Sequence, residues 1–168
     1  MSENDLVNLI TQIHKDCYYL CFSAFAKYYA NSGNIGIFAQ SQEEYDQLIQ
    51  IRDNIVIPSN NPDLKYFELR KQIVIHSIKN IPEISYKYLY IRKPDPNDYG
   101  KYLGDIDFVT SKLELSDILR KIKNGNLIHN TTIYNYNDKE FIQLSNSGIK
   151  SVGYLSTPEI AEYMRIRH

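Results

Sequence analysis

Gly104-Asp105-Ile106-Asp107-Phe108-Val109 is the stretch on which the reading of this chain turns. Ile106, Phe108 and Val109 favour a strand, and acids alternate with apolar residues at the strand period of two. The central strand is therefore expected over about 104–110. Ser111 supplies an N-cap for a helix near 112–123, with Ile118, Leu119 and Ile122 as its inner face and Asn124-Gly125 as its end. Strand-like runs follow at Thr131–Tyr136, Glu140–Leu144 and Ser151–Leu155. The order from Gly104 onward reads βαβββ.

A looser copy of that order precedes it. Ile35–Ala39 reads as a strand, Ser41 with Glu44 as a capping box, and 42–53 as a helix lined by Tyr45, Leu48 and Ile49. Strands are expected at Tyr66–Leu69, Ile73–His76 and Tyr86–Arg92. Phe38 corresponds to Phe108, Ser41 to Ser111, and Phe67-Glu68-Leu69 in kind to Phe141-Ile142-Gln143-Leu144. The turn cluster Lys93-Pro94-Asp95-Pro96-Asn97-Asp98-Tyr99-Gly100 stands between the halves.

Upstream, Ser2 with Asp5 opens a long helix over about 4–31. Leu6, Ile10, Ile13, Cys17, Leu20 and Ala24 recur at helical spacing, and Gly33 offers a left-handed stop. Beyond Cys17 the apolar face widens to take in Phe22, Phe25, Tyr28 and Tyr29. That face should lie under a sheet or against a second copy, so it is a candidate homodimer surface. His14 is placed on the outer part of the helix. Thr157, Pro158 and Glu159 start a short final helix. The expectation is an α+β fold with a mostly antiparallel sheet, two βαβββ-like modules and a long N-terminal helix. It is read as a single domain over 1–168, divided as 1–32, 34–92, 101–156 and 157–168.

Composition narrows the function. With 168 residues, 43% hydrophobic and 23% charged, the chain can bury a core and is not of disordered composition. A formal net charge of −1 gives no global basic field for nucleic acid or an anionic membrane, so neither is an expected partner. The longest strongly apolar run, Cys17–Ala30, contains Ser23 and Lys27 and is too short to span a bilayer. Cys17 and Cys21 lack a second Cys or His pair at zinc spacing and read as buried free thiols. With no secretory start, the expected location is the cytoplasm.

Three constellations carry candidate chemistry. Tyr86, Tyr88 and Tyr90 alternate and are expected to share one sheet face, continued by Arg92, as a platform for a flat ligand or as cross-strand packing. Asp105 and Asp107 project from one face, suited to Mg²⁺ or Mn²⁺ or to a proton-sharing pair. His76 and His129 lie on or beside apolar runs and read as structural. No Ser-His-Asp or Cys-His arrangement emerges.

On element order, residues 34–156 resemble the vicinal oxygen chelate superfamily (glyoxalase, bleomycin-resistance and extradiol dioxygenase proteins). That superfamily pairs two βαβββ modules around a ligand or metal. The resemblance implies a cup between similar halves. Family metal ligands are His or Glu, whereas this chain has Asn34 or Ile35 at the first strand start and Asp105 or Asp107 at the second. Glu68 and Gln143 stand on later strands. A metal-free binding member fits those residues better. The Asp105/Asp107 pattern also resembles the carboxylate strand of polymerase-β-like nucleotidyltransferases, without their upstream Gly-Ser or Gly-Gly turn.

The leading expectation is a ligand-binding or interaction module, for an unspecified small molecule or protein and with no cofactor. Tyr88, Tyr90, Arg92, Asp105 and Asp107 are its candidate lining. The alternatives are a divalent-metal enzyme using Asp105 and Asp107 with Mg or Mn, and a structural homodimer built on the first helix. Whether the chain is an enzyme stays open.

Overall fold

The structure, a computed structural model, describes residues 1–165. Four α-helices and an eight-stranded mixed sheet make up the α+β fold among them. In chain order the elements are α1 (Glu3–Phe25), β1 (Ala30–Asn31), β2 (Asn34–Phe38) and α2 (Gln42–Ile55). Then come β3 (Tyr66–Ile75), β4 (Ile84–Arg92), a 3-10 turn at Asp98–Lys101, and β5 (Gly104–Val109). The chain continues through α3 (Lys112–Lys123), β6 (Thr131–Tyr136), β7 (Lys139–Leu144), β8 (Ser151–Ser156) and α4 (Pro158–Arg165). The last three positions of the expected segment 157–168 lie outside the described residues.

The expected caps form. Ser2 and Asp5 make a reciprocal capping box on α1. Ser41 and Ser111 accept from the amides of Glu44 and Glu114 at the starts of α2 and α3. Glu44 does not close its box on Ser41; its carboxylate accepts from the amide of Gln40 instead, at 2.7 Å.

Strand order across the sheet is β3-β4-β2-β5-β8-β7-β6, with β1 pairing β5 off that path. β2 runs parallel to β4 and β5 parallel to β8; the other pairs are antiparallel. Each parallel pair flanks a module's helix crossover, and the two modules meet along the antiparallel β2–β5 pair. Gly36 and Ile37 there face Asp105 and Gly104. The close approach explains Gly104, where a Cβ would overlap the Gly36 carbonyl and Ile13.

Helices α1, α2 and α3 cover one face, because their apolar stripes meet the same side of every central strand. Ile35 and Ile37 of β2, Leu89 and Ile91 of β4, and Ile106 and Phe108 of β5 share one buried cluster with them. Helix α1 lies under β5, β8 and β7, so the first element of the chain packs mainly on the second module. Glu114 ties α3 to the segment after α1. Its carboxylate takes Lys27 Nζ at 2.5 Å and the hydroxyls of Tyr29 at 2.7 Å and Thr110 at 2.6 Å. Those donors hold its pKa down at about 2.

Several expectations need correction. Helix α1 stops at Phe25, not near 31, because Ala26 turns left-handed (φ 54°) and its amide closes on Phe22. Gly33 (φ 82°) instead forms the kink between β1 and β2. The two strands expected at 66–69 and 73–76 are one strand, β3, irregular between Glu68 and Ile73. The first module therefore runs βαββ and only the second runs βαβββ. His14 is fully buried, not on the outside of α1. It falls on the Ile10–Ile13–Cys17 stripe, and its Nδ1 meets the Tyr86 hydroxyl at 2.7 Å. Only one side of the widened half of α1 is covered, with Tyr19 60% and Phe22 47% exposed. Cys17 and Cys21 are buried free thiols, as expected. Among the described residues no helix is long and apolar enough to cross a membrane.

Candidate ligand-binding cup

The opposite face of the sheet carries a cavity of about 510 Å³. It exists because strand alternation sends a second set of side chains away from the helices. From β5 these are Asp105 and Asp107, whose apolar neighbours Ile106 and Phe108 point into the helical core. Four of the five candidate lining residues, Tyr90, Arg92, Asp105 and Asp107, line this cavity. Tyr88 does not. It is half-buried on the same strand face, with the Lys87 ammonium over its ring, and lies outside the lining.

Tyr86 does not share a face with Tyr88 and Tyr90. The amides of Lys87 and Tyr88 both donate to the Gly33 carbonyl, at 2.8 and 3.0 Å. Two residues thus oppose one, which is a β-bulge, and it reverses the alternation. Tyr86 is thereby sent into the core against His14. Likewise, Phe38 faces the cup side and Phe108 the helical core, so their correspondence does not extend to facing.

Local geometry seats the two acids. Gly36 lies between Tyr90 of β4 and Asp105 of β5 in cross-strand register. A Cβ at Gly36 would overlap the Asp105 carboxylate, so the glycine gives that side chain its room. Asp105 is 7% exposed. Asp107 accepts from Asn34 Nδ2 at 3.0 Å, and Asn34 Oδ1 in turn accepts from the Ser32 hydroxyl at 2.8 Å. Burial pushes the Tyr90 hydroxyl pKa up, against the pull of Arg92, and the Asp105 carboxylate adds to the rise. Arg92 reaches back to pair with Asp95 and lies over the Phe38 ring.

Aromatic walls stand on both sides of the acids. Tyr66 and Tyr90 pack at 5.2 Å on the first-module side. Tyr134, Phe141 and Tyr154 pack on the second-module side, with centroids 5.2–5.9 Å apart. Helix α4 contributes Ile160 and Ala161 to one end. The sequence alone does not place the second-module wall. Its signal was present in the alternation of Tyr134 with Tyr136 and of Phe141 with Gln143, but only the β6–β7–β8 register brings those rings beside β5.

His76 and His129 are exposed and lie away from the cup, and His76 pairs with Glu83 at 2.7 Å. Among the described residues no group of three or more His, Cys, Asp or Glu is placed to hold a metal ion. No family model matches the chain, and no curated protein matches it. Among solved structures, a structural-genomics protein designated EC4020 is similar at TM-score 0.49 and 8% identity, covering 96% of this chain and 91% of its own. Likeness of that degree bears on neither fold nor function.

Proposed function

We propose that the chain is a small-molecule-binding module that holds its ligand in the cup between its two halves. The observation that carries this reading is the 510 Å³ cavity lined from both modules, with Tyr90, Arg92, Asp105 and Asp107 among its walls. Its size falls in the range of small-ligand sites, and aromatic walls with a few convergent polar groups are the usual composition of such sites. The βαβββ run of β5 to β8 also supports the resemblance to the vicinal oxygen chelate superfamily; the shorter first module supports it less.

Thermal unfolding against a broad compound library, with Mg²⁺, Mn²⁺ and nucleotides as separate arms, tests the reading. A specific ligand at a hundredfold excess over its Kd adds about 2.7 kcal/mol of stability. The expected result is a metal-independent rise that is lost in Tyr154→Leu. A metal-dependent rise lost in Asp105→Asn/Asp107→Asn would replace the proposal with the metal-enzyme reading. The absence of any Tyr154-dependent rise would overturn it.

Exposed Tyr19 and Phe22 favour a second reading, a homodimer through α1. Phe25 is the poorer probe because it packs edge-on against Tyr29. Sedimentation of the wild type as a dimer and of Phe22→Glu as a folded monomer is the expected result; a monomeric wild type removes this reading.

A further inference from the structure

The two faces of the sheet differ in the kind of apolar side chain they carry, and that difference narrows the ligand class of the cup. We propose that the cup takes a flat, fused-ring aromatic molecule held by its ring faces. This rests on the binding reading above.

The first ground is composition. Of the seventeen described residues that line the cup, seven are aromatic, against 12% in the whole chain. Only Ile160 and Ala161 among them are aliphatic. The helix-covered face of the same sheet is instead filled largely by aliphatic side chains, Ile35, Ile37, Leu89, Ile91 and Ile106 among them. A cup built only to exclude water would draw on the same Ile and Leu. Rings offer a flat surface that pairs with other rings in offset or edge-on contact, beyond what burial alone supplies. Tyr90 on one side of the sheet, and Tyr134 with Phe141 on the other, place such surface at both margins of the cup.

The second ground is the floor between those rings. The Asp105 carboxylate occupies the space that a Cβ on Gly36 would take, so it lies over β2 and leaves the room between the walls open. Arg92 pairs with Asp95 and Asp107 with Asn34, and Arg92, Asp105 and Asp107 all have further partners inside the protein. With those charges answered from within, selection of a ligand falls to shape and ring surface. Strands β4 and β8 are three strand spacings apart, roughly 14 Å of backbone. Side chains narrow that gap to a slot suited to one fused ring system.

Isothermal titration calorimetry on the full chain tests this with 2-naphthol and decahydro-2-naphthol, its saturated and puckered counterpart. The saturated alcohol has the larger apolar surface, so a cup that only excludes water would prefer it. The expected result is the reverse, with 2-naphthol binding once per chain and at least about tenfold more tightly. Tyr134→Leu, at a partly exposed ring, should cut that preference by about threefold or more with the thermal midpoint unchanged. Tyr90→Leu should cut it from the other wall. Equal or tighter binding of decahydro-2-naphthol, no binding of 2-naphthol, or a preference unmoved in both variants would overturn the aromatic proposal. In those cases any library compound whose binding depends on Tyr154 keeps the binding-module reading standing; with none, both fall.

Discussion

Phe108→Ala is expected to lower the unfolding free energy by about 3–5 kcal/mol, the range for truncating a fully buried aromatic. Phe108 has no exposed surface and stands at the middle of the sheet on β5, edge-on to Tyr18 of α1 at 5.1 Å. Its ring covers Gly153 of β8, where a Cβ would come within 3.3 Å of it. That neighbour has no side chain with which to refill the space. Strands β5 and β8 are held in register by their ladder hydrogen bonds and cannot close on the space without breaking them. Denaturant titration reads the effect as a lower midpoint with an unchanged slope. Leu127→Ala is the control: Leu127 is 98% exposed, and its loss should stay within about 0.5 kcal/mol. A loss under about 1 kcal/mol for Phe108→Ala would mean that α1 does not seal this part of the sheet.

The second large effect is a dependence of stability on pH. Burial, with a smaller contribution from Lys15, pushes the His14 pKa from 6.5 down to about 4. Its Nδ1 faces the Tyr86 hydroxyl, its ring lies 4.5 Å from that of Tyr18, and its Nε2 is buried without a hydrogen-bond partner. A proton on that ring would put a charge in the buried core, where burial and nearby Lys15 both oppose it. Between pH 6.5 and about 4 the unfolded chain binds a proton that the folded one refuses. The stabilisation is therefore complete above pH 6.5 and is lost as pH falls toward 4, by about 3 kcal/mol in all. Glu114 acts in a lower window, from 4.5 down to about 2, so the two are separable. Urea titrations at about pH 7 and about pH 4.5 should show the loss in the wild type and little of it in His14→Gln. Equal losses in both proteins would assign the effect elsewhere.

The elements most legible in the sequence were those determined by neighbours in the chain. Ser2, Ser41 and Ser111 cap helices because a side-chain oxygen reaches an amide three residues on, and that spacing is written locally. The alternation of Asp105 to Phe108 put both acids on one face for the same reason, and Tyr90 and Arg92 followed from the end of their own strand. What failed was determined by partners distant in sequence. Tyr86 leaves its expected face because the Gly33 carbonyl, in the kink between β1 and β2, takes two successive amides. His14 looks polar until Tyr86 is placed above it. The run 66–75 reads as two strands because Arg70-Lys71-Gln72 is polar, although the backbone continues through an irregular stretch. The second aromatic wall was visible as alternation, but its place beside the acids depends on strand order.

The packing of α1 on the second module also has a consequence for biosynthesis. The apolar stripe from Leu6 to Cys21 leaves the ribosome early, yet its covering strand, β8, begins only at Ser151. At the usual 5–20 residues per second, the stripe waits roughly 6–25 s for that strand to be made. The central β2–β5 pairing likewise closes late. Stable burial of α1 thus waits until β8 has been made, and until then its apolar stripe is open to a holdase chaperone.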